Sequence, residues 1–502
     1  MILAAVPPIT TPSVNWLAIA PVLAVAGAGV LIVLLRALIR RRPIATPLAY
    51  GVAVVGLITA GGFLWRQWQD VHHGGAITTL AGMVRVDGFA IFLGTVVLAS
   101  TFLALLLAAA YLRREGLERP EYIALMMLSS AGMLIMTTAN DLVVVFLALE
   151  ILSIPLYVLA AFDRRRLTSQ ESGIKYFVLG AFSSAIFLYG VALTYGATGT
   201  TSLTGIGTFL ANNTLLEQGT LLAGLALLLV GLGFKVAAVP FHMWTPDVYQ
   251  GAPTPVTAFM SSATKAAGFA ALIRVFTLAF PTYREDWRPA VWALAVLTLA
   301  VGSIAAVIQT DLKRVLAYSS IAHAGYILVA FQVATPRGRE AALLYLFAYA
   351  FMIIGSFAVI TIATRRGDDH HSFDDYRGLA LERPVLGGLL AFFLLAQAGV
   401  PATSGFIVKL QVFAAAVDRG EYALTVIAVL ASVVAAFFYL RVAVALFSAP
   451  AVDAPADEVA ALSRPVDLWS GVVLFVAAAM TLVIGILPGT FITFAKGATF
   501  LL

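Results

Sequence analysis

Residues 240–269 read Pro-Phe-His-Met-Trp-Thr-Pro-Asp-Val-Tyr-Gln-Gly-Ala-Pro-Thr-Pro-Val-Thr-Ala-Phe-Met-Ser-Ser-Ala-Thr-Lys-Ala-Ala-Gly-Phe. An apolar segment that carries Lys235 leads into this stretch, and an apolar segment that carries Lys265 leads out of it. Proline removes a backbone donor and clashes with the preceding turn, so the four prolines predict a break in the helix. The stretch therefore predicts two membrane helices, each with one ammonium group at membrane depth. An ionisable residue at that depth is costly and indicates a function.

The composition is that of a polytopic membrane protein. The 502 residues are 61% hydrophobic and 11% charged, whereas soluble domains are about 25% charged. The absence of cysteine excludes iron–sulfur clusters, thiolate-bound zinc and disulfides on this chain. The net charge of +5 comes from basic residues between the apolar segments, so it indicates topology and not nucleic-acid binding.

Lysine is rare among the basic residues and is found at Lys175, Lys235, Lys265, Lys313, Lys409 and Lys496. Three of these lysines, Lys235, Lys265 and Lys409, lie inside apolar segments. Arginine stays charged at any relevant pH, whereas a buried lysine can release its proton. Lysine at these three positions therefore indicates groups that titrate.

The segments long enough to cross a membrane number about 14. A hydrocarbon core of roughly 30 Å needs about 20 apolar residues per helix. The candidate spans are 14–36, 47–65, 88–111, 121–139, 141–161, 175–195, 219–240, 254–280, 289–309, 314–333, 341–364, 384–417, 421–447 and 469–494. The predicted fold class is an all-α polytopic membrane protein.

Basic residues concentrate in one set of alternate loops. This set comprises Arg36, Arg40, Arg41, Arg42, Arg113, Arg114, Arg119, Arg164, Arg165, Arg166, Lys313, Arg314, Arg365, Arg366, Arg377, Arg383, Arg441 and Arg464. The opposite loops hold fewer: Arg66, Arg85, Arg284, Arg288, Arg337, Arg339, Arg419 and Lys496. The positive-inside rule places the first set in the cytoplasm and both termini outside, which requires an even number of spans.

Two of the spans are predicted to be broken. Residues 384–417 would form a helix of roughly 51 Å, too long for one crossing, and residues 399–406 in its middle read Gly-Val-Pro-Ala-Thr-Ser-Gly-Phe. Lys409 follows this break, as Lys235 stands beside the break at Pro240. A broken helix at membrane depth is tolerated where it is buried in protein or lines a polar cavity.

These likenesses predict an internal repeat of five helices. Lys235 and Lys409 stand 409 − 235 = 174 positions apart, Glu150 and His323 stand 323 − 150 = 173 apart, and Lys265 and Tyr439 stand 439 − 265 = 174 apart. Helices 4–8 and 9–13 then form two inverted repeats, with helices 7 and 12 broken, an architecture of ion transporters. The predicted regions are 1–115, 116–285, 286–450 and 451–502.

The remaining candidates are one carboxylate and several histidines. Glu150 lies in the middle of span five, and the alternative to a functional role is an inert paired glutamate. For Lys235, Lys265 and Lys409 the alternative is a lysine near a helix end whose ammonium group reaches the membrane surface by snorkelling. This alternative fits Lys265 least well, because Lys265 lies deep in its span. His323 lies well inside span ten, where a histidine can also be a hydrogen-bonded core residue. His242 is a candidate for the mouth of a polar passage, and His72, His73, His370 and His371 are interpreted as solvated loop residues.

Two Gly-x-Gly fragments, at 27–29 and 231–233, lie in apolar helices and lack the strand context of a nucleotide site, so they are interpreted as packing glycines. The titratable groups at membrane depth make a proton relay chemically plausible, since each can exist charged or neutral. No nucleophile with an oriented base and no metal cage is recognisable.

The 240–269 stretch, the Glu150 span, Gly-Phe-Lys at 233–235 and Gln-Thr-Asp-Leu-Lys-Arg-Val-Leu-Ala-Tyr-Ser-Ser-Ile-Ala-His at 309–323 resemble the antiporter-like membrane subunits of respiratory complex I. The resemblance covers spans four to thirteen strongly. It implies a central proton relay made of Glu150, Lys235, Lys265 and Lys409, with His323 and His242 as secondary candidates. Lysine stands at 265, where L-type members usually have histidine, and at 409, where M-type members usually have glutamate. The chain also ends soon after span fourteen, without the lateral helix of the L-type.

The resemblance further implies a translocase subunit that moves protons across the bacterial plasma membrane. NADH oxidation and quinone reduction would drive it from partner subunits, which would hold FMN and the iron–sulfur clusters, and this chain would hold no cofactor and no metal. The expected partners are the M-type subunit, the small K- and J-type membrane subunits and the lipid bilayer, with no nucleic acid. Two other functions stay open: an Mrp-type cation/proton antiporter subunit, and a structural spacer with an inactive channel.

Overall fold

The computed structural model describes residues 12–39, 42–215, 217–364, 367–369, 371–449 and 466–498. The predicted location of the two termini concerns residues 1–11 and 499–502, which lie outside the described residues. Outside them too are His370 and five of the predicted loop arginines, namely Arg40, Arg41, Arg365, Arg366 and Arg464.

Helices make up almost all of the described chain. The N-terminal half contains α1 Trp16–Leu38, α2 Arg42–Gly74, α3 Gly88–Glu115, α4 Pro120–Thr138, α5 Leu142–Ala160, α6 Leu167–Thr198, α7 Leu203–Asn212, α8 Gly219–Val236 and α9 Trp244–Gly251. A short antiparallel hairpin, β1 Ile77–Thr79 and β2 Val84–Val86, joins α2 to α3.

The C-terminal half begins with α10 Thr254–Phe259, a π-helical turn Met260–Thr264 and α11 Lys265–Ala279, which together form one span. It continues with α12 Arg284–Val307, α13 Leu312–Gln332, α14 Pro336–Ala363, a 3₁₀ turn Asp374–Tyr376, α15 Leu379–Glu382, α16 Pro384–Ala398, α17 Ser404–Asp418, α18 Tyr422–Phe447, α19 Leu468–Ile486 and α20 Pro488–Gly497.

The predicted all-α membrane fold is confirmed. Within the described residues, 13 helices are long and apolar enough to cross a membrane. The remaining predicted span, 384–417, consists of α16 and α17, two half-helices of 15 residues each. Because equivalent helices of the two repeats are five spans apart, the repeats begin on opposite sides of the membrane. The boundaries of the four predicted regions stay a prediction.

The break in span seven is held firmly by its neighbours. After α8 ends at Val236, the backbone turns through Ala237 at φ 62°, and α9 begins at Trp244. The N–H of Val239 donates to the hydroxyl of Thr298 on α12 at 2.9 Å. Pro240 cannot extend the helix, whereas a proline in the first turn of α9 costs no helical hydrogen bond. The break is therefore an ordered turn.

The break in span twelve depends on close approach of the backbone. Gly399 ends α16 with φ +98°, a left-handed conformation that favours glycine. A β-carbon at Gly405, in the first turn of α17, would overlap the carbonyl oxygen of Ala396. These two glycines allow the half-helices to pack end against end.

The helices that carry Lys265 and His323 lie in the centre of the molecule together with α14. The apolar windows of the α10–α11 span and of α14 are wholly buried, and that of α13 is 94% buried. By contrast, only 33% of the apolar windows of α1, α2 and α18 is buried, as is typical of helices that face lipid. Protein therefore encloses Lys265 and His323 at membrane depth.

Candidate functional site

Lys235, in the last turn of α8, is buried and reaches across to α5 and α6. Its ammonium group donates to the hydroxyl of Ser153 at 2.7 Å and to that of Tyr176 at 3.3 Å. Tyr176 is stacked on Trp244 of α9, with ring centroids 4.6 Å apart. The surroundings of Lys235 thus include residues from both sides of the break, on α8 and on α9.

Lys265 begins α11 and is buried among α13 and α14. Its ammonium group donates to the carbonyl oxygen of Ser320 at 2.8 Å. The same group lies 5.8 Å from the ring centroid of Tyr349, within reach of a cation–π interaction. The position, deep inside a wholly buried span, excludes the alternative that Lys265 snorkels to a membrane surface.

Lys409 stands in the second turn of α17 and turns back onto the end of α16. Its ammonium group donates to the carbonyl oxygen of Ala398 at 2.7 Å and to the hydroxyl of Ser432 at 2.8 Å. Ala398 is the last residue of α16, so the positive charge sits at the negative end of a half-helix dipole. The ring of Tyr326 lies 4.9 Å away.

The three lysines share one arrangement. Each ammonium group donates to hydroxyl or carbonyl oxygens and faces a tyrosine ring, and none forms an ion pair among the described residues. A neutral amine can make the same hydrogen bonds to these acceptors as an ammonium group can. The sites therefore accommodate both protonation states of lysine.

Glu150 lies near the Lys235 site but does not pair with it directly. Lys235 instead bonds Ser153, three residues further along α5. Glu150 is half-buried, and its Oε1 atom is buried with no hydrogen-bond partner in the described part of the chain. The carboxylate of Glu150 therefore has no ion-pair partner among the described residues, and it lies one helical turn along α5 from Ser153, which binds Lys235.

His323 belongs to a hydrogen-bonded network between α13, α14, α16 and α18. Its Nδ1 atom lies 2.7 Å from the Tyr345 hydroxyl, and its Nε2 atom lies 3.1 Å from the Tyr439 hydroxyl. Tyr439 also hydrogen-bonds Ser319, whose hydroxyl donates to Gln397 at 3.2 Å. Ser319 and Gln397 are direct neighbours in sequence of Ser320 and Ala398, the residues that bind Lys265 and Lys409. The network therefore connects the surroundings of these two lysines.

His242 stays apart from the other candidates. It lies half-buried in the turn between α8 and α9, and its Nδ1 atom has no hydrogen-bond partner among the residues described. It lies in the break, and no hydrogen bond joins it to any of the three lysines.

Two predictions about the basic loops are wrong. His371 is buried, not solvated, and its ring bonds the carboxylate of Asp368 at 3.1 Å. Lys313, counted as a loop charge, is also fully buried, 3.8 Å from Asp368. The sequence shows no apolar pattern around this loop, so the burial follows only from the packing of α3, α10, α13 and the loop after α14.

Asp368 is the centre of this second polar cluster. It accepts hydrogen bonds from Tyr111 and Arg166 and from both the N–H and the hydroxyl of Thr254, the first residue of α10. Burial alone would raise the pKa of the Asp368 carboxyl, but the charge of Lys313 and the hydrogen bond from His371 hold this pKa well below its usual range. Asp368 is therefore a permanent carboxylate that ties four segments together at the start of α10.

Sequence reasoning missed the partners of the lysines, although the repeat holds a signal for them. Tyr176 and Tyr349 stand 349 − 176 = 173 positions apart, and Ser153 and Tyr326 stand 326 − 153 = 173 apart. Each of these four residues contacts one of the relay lysines. A search for polar residues separated by 173 positions, the spacing of Glu150 and His323, could therefore have identified all four. In the described ranges, no group of three or more metal-binding side chains could hold a metal ion.

The chain belongs to the family of NADH:quinone oxidoreductase and Mrp antiporter transmembrane subunits, whose model matches residues 139–435. This confirms the resemblance inferred from the sequence. Proteins named NADH-quinone oxidoreductase subunit N are among its relatives. That of Trichlorobacter lovleyi is 42% identical over 447 residues, covering 89% of this chain and 90% of that protein. A protein of Streptomyces griseus named subunit N 3 is 41% identical over 97% of this chain and 95% of its own length.

Solved structures agree with this assignment. A chain of respiratory complex I from Thermus thermophilus is 34% identical and superposes with a TM-score of 0.75, covering 95% of this chain and all of its own. A chain of the Mrp complex from Dietzia superposes with a TM-score of 0.83 over 96% of both chains, but it is only 22% identical. The second likeness therefore shows a shared fold and nothing more.

Proposed function

We propose that the chain is a membrane-arm subunit of an NADH:quinone oxidoreductase and translocates protons across the bacterial plasma membrane. The observation that carries the proposal is the set of three buried lysines held by neutral oxygens and not by carboxylates. Electron transfer from NADH through FMN and iron–sulfur clusters to quinone belongs to partner subunits. The redox reaction there supplies the free energy for the proton movement here.

The residues form a relay with a definite order. Glu150 and Lys235 form its first part, between α5, α6 and the break after α8. Lys265, in the centre, exchanges protons with Lys409 through the hydroxyls of Ser319 and Tyr439, with His323 bonded to Tyr439. Hydroxyl groups can donate and accept at once, so a chain of them can pass a proton. His242 is assigned a secondary role at the mouth of the passage.

The proposed partners follow from the same assignment. They are the M-type antiporter-like subunit, the small K- and J-type membrane subunits and the surrounding lipid. The likeness of the fold to the Mrp complex keeps a second function, cation/proton antiport, as the alternative. Sodium-dependent proton movement by the chain without its redox partners would favour that alternative.

Substitution of Lys235 tests the relay. Arginine keeps a positive charge, but because its pKa lies far above any relevant pH it does not release its proton. We expect Lys235→Arg to impair NADH-driven proton uptake into membrane vesicles nearly as much as Lys235→Ala, at matched amounts of assembled complex. Lys496→Arg, on an exposed lysine of α20, is the control and should pump normally. Normal pumping by Lys235→Arg, with loss only in Lys235→Ala, would make Lys235 a fixed counter-ion and refute the relay.

A further inference from the structure

A groove opens on the lipid-facing surface where α3, α4, α5 and α6 reach the side of the basic loops. Its volume is about 750 Å³, within the range of roughly 300–1,000 Å³ for small-molecule sites. Its walls come from the loop after α3, the last turns of α5, the loop between α5 and α6, and the first turns of α6. The groove lies outside the lysine relay.

The two ends of the groove differ in chemistry. The end at the membrane surface is formed by the guanidinium groups of Arg119, Arg164 and Arg165. The end toward the membrane centre is formed by large apolar side chains that stand exposed: Ile154 at 56%, Val158 at 49%, Ile174 at 64% and Phe177 at 56%. A positively charged rim above an apolar wall matches a ligand with an anionic head and a hydrocarbon tail.

The positive charge of the rim is largely uncompensated. Arg165 pairs with Asp163 at 2.9 Å and also donates to the carbonyl oxygen of Glu115. Asp163 is the only acidic side chain among the residues that line the groove. Arg119 and Arg164 are exposed, and neither guanidinium group has a hydrogen bond or ion pair to the residues described. Two arginines are thus free to bind an anion.

We propose that this groove binds one anionic phospholipid. Its phosphate lies between Arg119 and Arg164, and an acyl chain runs along Ile154, Val158, Ile174 and Phe177. Guanidinium groups bind phosphate through paired hydrogen bonds, and the basic-loop side of a membrane protein faces the leaflet in which anionic lipids attract arginine. A soluble phosphate would use the rim but leave the apolar wall without a partner.

The wall of the groove is also a wall of the lysine site. Tyr157 lines the groove and packs edge-on against Tyr176, with ring centroids 4.9 Å apart. Tyr176 in turn is bonded to Lys235. Gly180 lets Tyr157 lie flat against α6, because a β-carbon there would overlap the Tyr157 hydroxyl. Only two side chains, those of Tyr157 and Tyr176, would therefore separate the lipid from Lys235. The inference needs only that the chain spans a membrane, and it stands or falls independently of proton pumping.

The test is photolabelling of the assembled complex in phosphatidylcholine vesicles that contain a trace of labelled lipid. The probe is phosphatidylglycerol with a photoreactive acyl chain, and the comparison probe is phosphatidylcholine with the same chain. Labelled peptides are identified by mass spectrometry. The variants are Arg119→Gln with Arg164→Gln, and the control is Arg113→Gln. Arg113 is exposed and lies on the same side, but it does not line the groove.

We expect the phosphatidylglycerol probe to label peptides 150–160 and 170–180 more strongly than the phosphatidylcholine probe. In the double variant this labelling should fall about fivefold or more, since a basic residue near the membrane surface strengthens anionic lipid binding about fivefold. Arg113→Gln should label as the unmodified complex does.

Three outcomes would overturn the proposal. Equal labelling by both probes would mean that the groove is an ordinary lipid surface. Suppression of the labelling by millimolar inorganic phosphate, without anionic lipid, would mean a site for a soluble anion. Absence of any label on these peptides in the complex, together with loss of a partner subunit in the double variant, would mean that a protein covers the groove. All the substituted arginines are exposed, so none of these results depends on a folding defect.

Discussion

Each relay lysine is held by oxygen atoms that carry no full charge. Removal of one such oxygen therefore tests the position of the ammonium group without changing the charge of the site. A hydrogen bond to a charged group contributes about 1.5–3 kcal/mol to stability. For Lys235 the shortest such bond, 2.7 Å, goes to the hydroxyl of Ser153, whose own proton is donated along α5 to the carbonyl oxygen of Leu149. Ser153 thus positions the ammonium group without itself carrying a charge.

We expect Ser153→Ala to reduce proton pumping severalfold while the complex assembles normally, because alanine fits the space but offers no acceptor to Lys235. The control is Ser129→Ala, since Ser129 is equally buried and donates to the Leu152 carbonyl oxygen without touching Lys235. The ratio of protons moved to NADH oxidised measures the effect. An unchanged ratio in Ser153→Ala would show that Tyr176 alone positions the lysine.

The buried carboxylate of Asp368 makes a different prediction, about stability. Its pKa is depressed in the folded protein because, although burial raises it, Lys313, His371 and Arg166 lower it further. Its stabilising contribution is therefore complete above the unfolded pKa of about 3.9 and is lost only as the pH falls below that value. Breaking such a buried pair costs about 3–5 kcal/mol.

We expect Asp368→Asn to lower the thermal stability of the purified complex by the same amount at about pH 8 and about pH 6, since the carboxylate is ionised at both. Asp369→Asn is the matched control, because Asp369 is 54% exposed and, among the residues described, pairs with Arg166 alone, a contact worth about 1 kcal/mol or less. A loss confined to one of the two pH values would show that the stabilisation depends on a group that titrates between them and not on the permanent charge of Asp368.

The sequence predicted the lysines but not their partners, for a physical reason. An ammonium group inside an apolar segment is visible because nothing nearby in the chain can solvate it. Its acceptors come from other helices, as Ser432 does for Lys409, and depend on how these helices pack. The loop that carries Asp368 and His371 was misread because polar residues outside a span are normally solvated, and only the surrounding helix ends bury them.

At the scale of elements, the broken helices are the parts most fully encoded in the sequence. Proline and glycine act through local sterics, so the breaks near Pro240 and after Gly399 could be predicted without knowledge of packing. What the sequence could not show is the π-helical turn Met260–Thr264 directly before Lys265. A π-helical turn changes the direction in which the following side chains point from the helix axis, and such turns are frequent at functional sites.

The contact between α16 and α17 predicts the effect of a single methyl group. We expect Gly405→Ala to destabilise the protein by about 1–3 kcal/mol, because the added carbon meets the backbone of Ala396, which cannot move aside without displacing Ala398 and hence Lys409. Proton pumping should fall more than NADH oxidation. Gly388→Ala on α16, where a β-carbon meets nothing within 4 Å, should leave both unchanged. Normal pumping by Gly405→Ala would show that the half-helices can separate without cost.

At the scale of the whole molecule, the central position of α13 and α14 joins the two repeats. Lys265, from the first repeat, binds Ser320 on α13 in the second, and Tyr349 on α14 faces it. In the proposed relay, a proton that passes from one repeat to the other crosses these two helices, and their buried hydroxyls and His323 supply the polar groups for that crossing.

Orientation in the membrane is the remaining prediction at this scale, and the absence of cysteine makes it easy to test. Asn213, after α7, and Asp374, after α14, are exposed and are separated by five spans, so they must face opposite sides. The excess of arginine on the Asp374 side places that side in the cytoplasm. Single cysteines introduced as Asn213→Cys and Asp374→Cys are then treated in intact cells with a membrane-impermeant maleimide. We expect label on this chain for Asn213→Cys at once, and for Asp374→Cys only after permeabilisation. The reverse result would invert the topology. Labelling of both in intact cells would mean an even number of crossings between them, so that one of the five spans, such as the broken span seven, would not traverse the membrane.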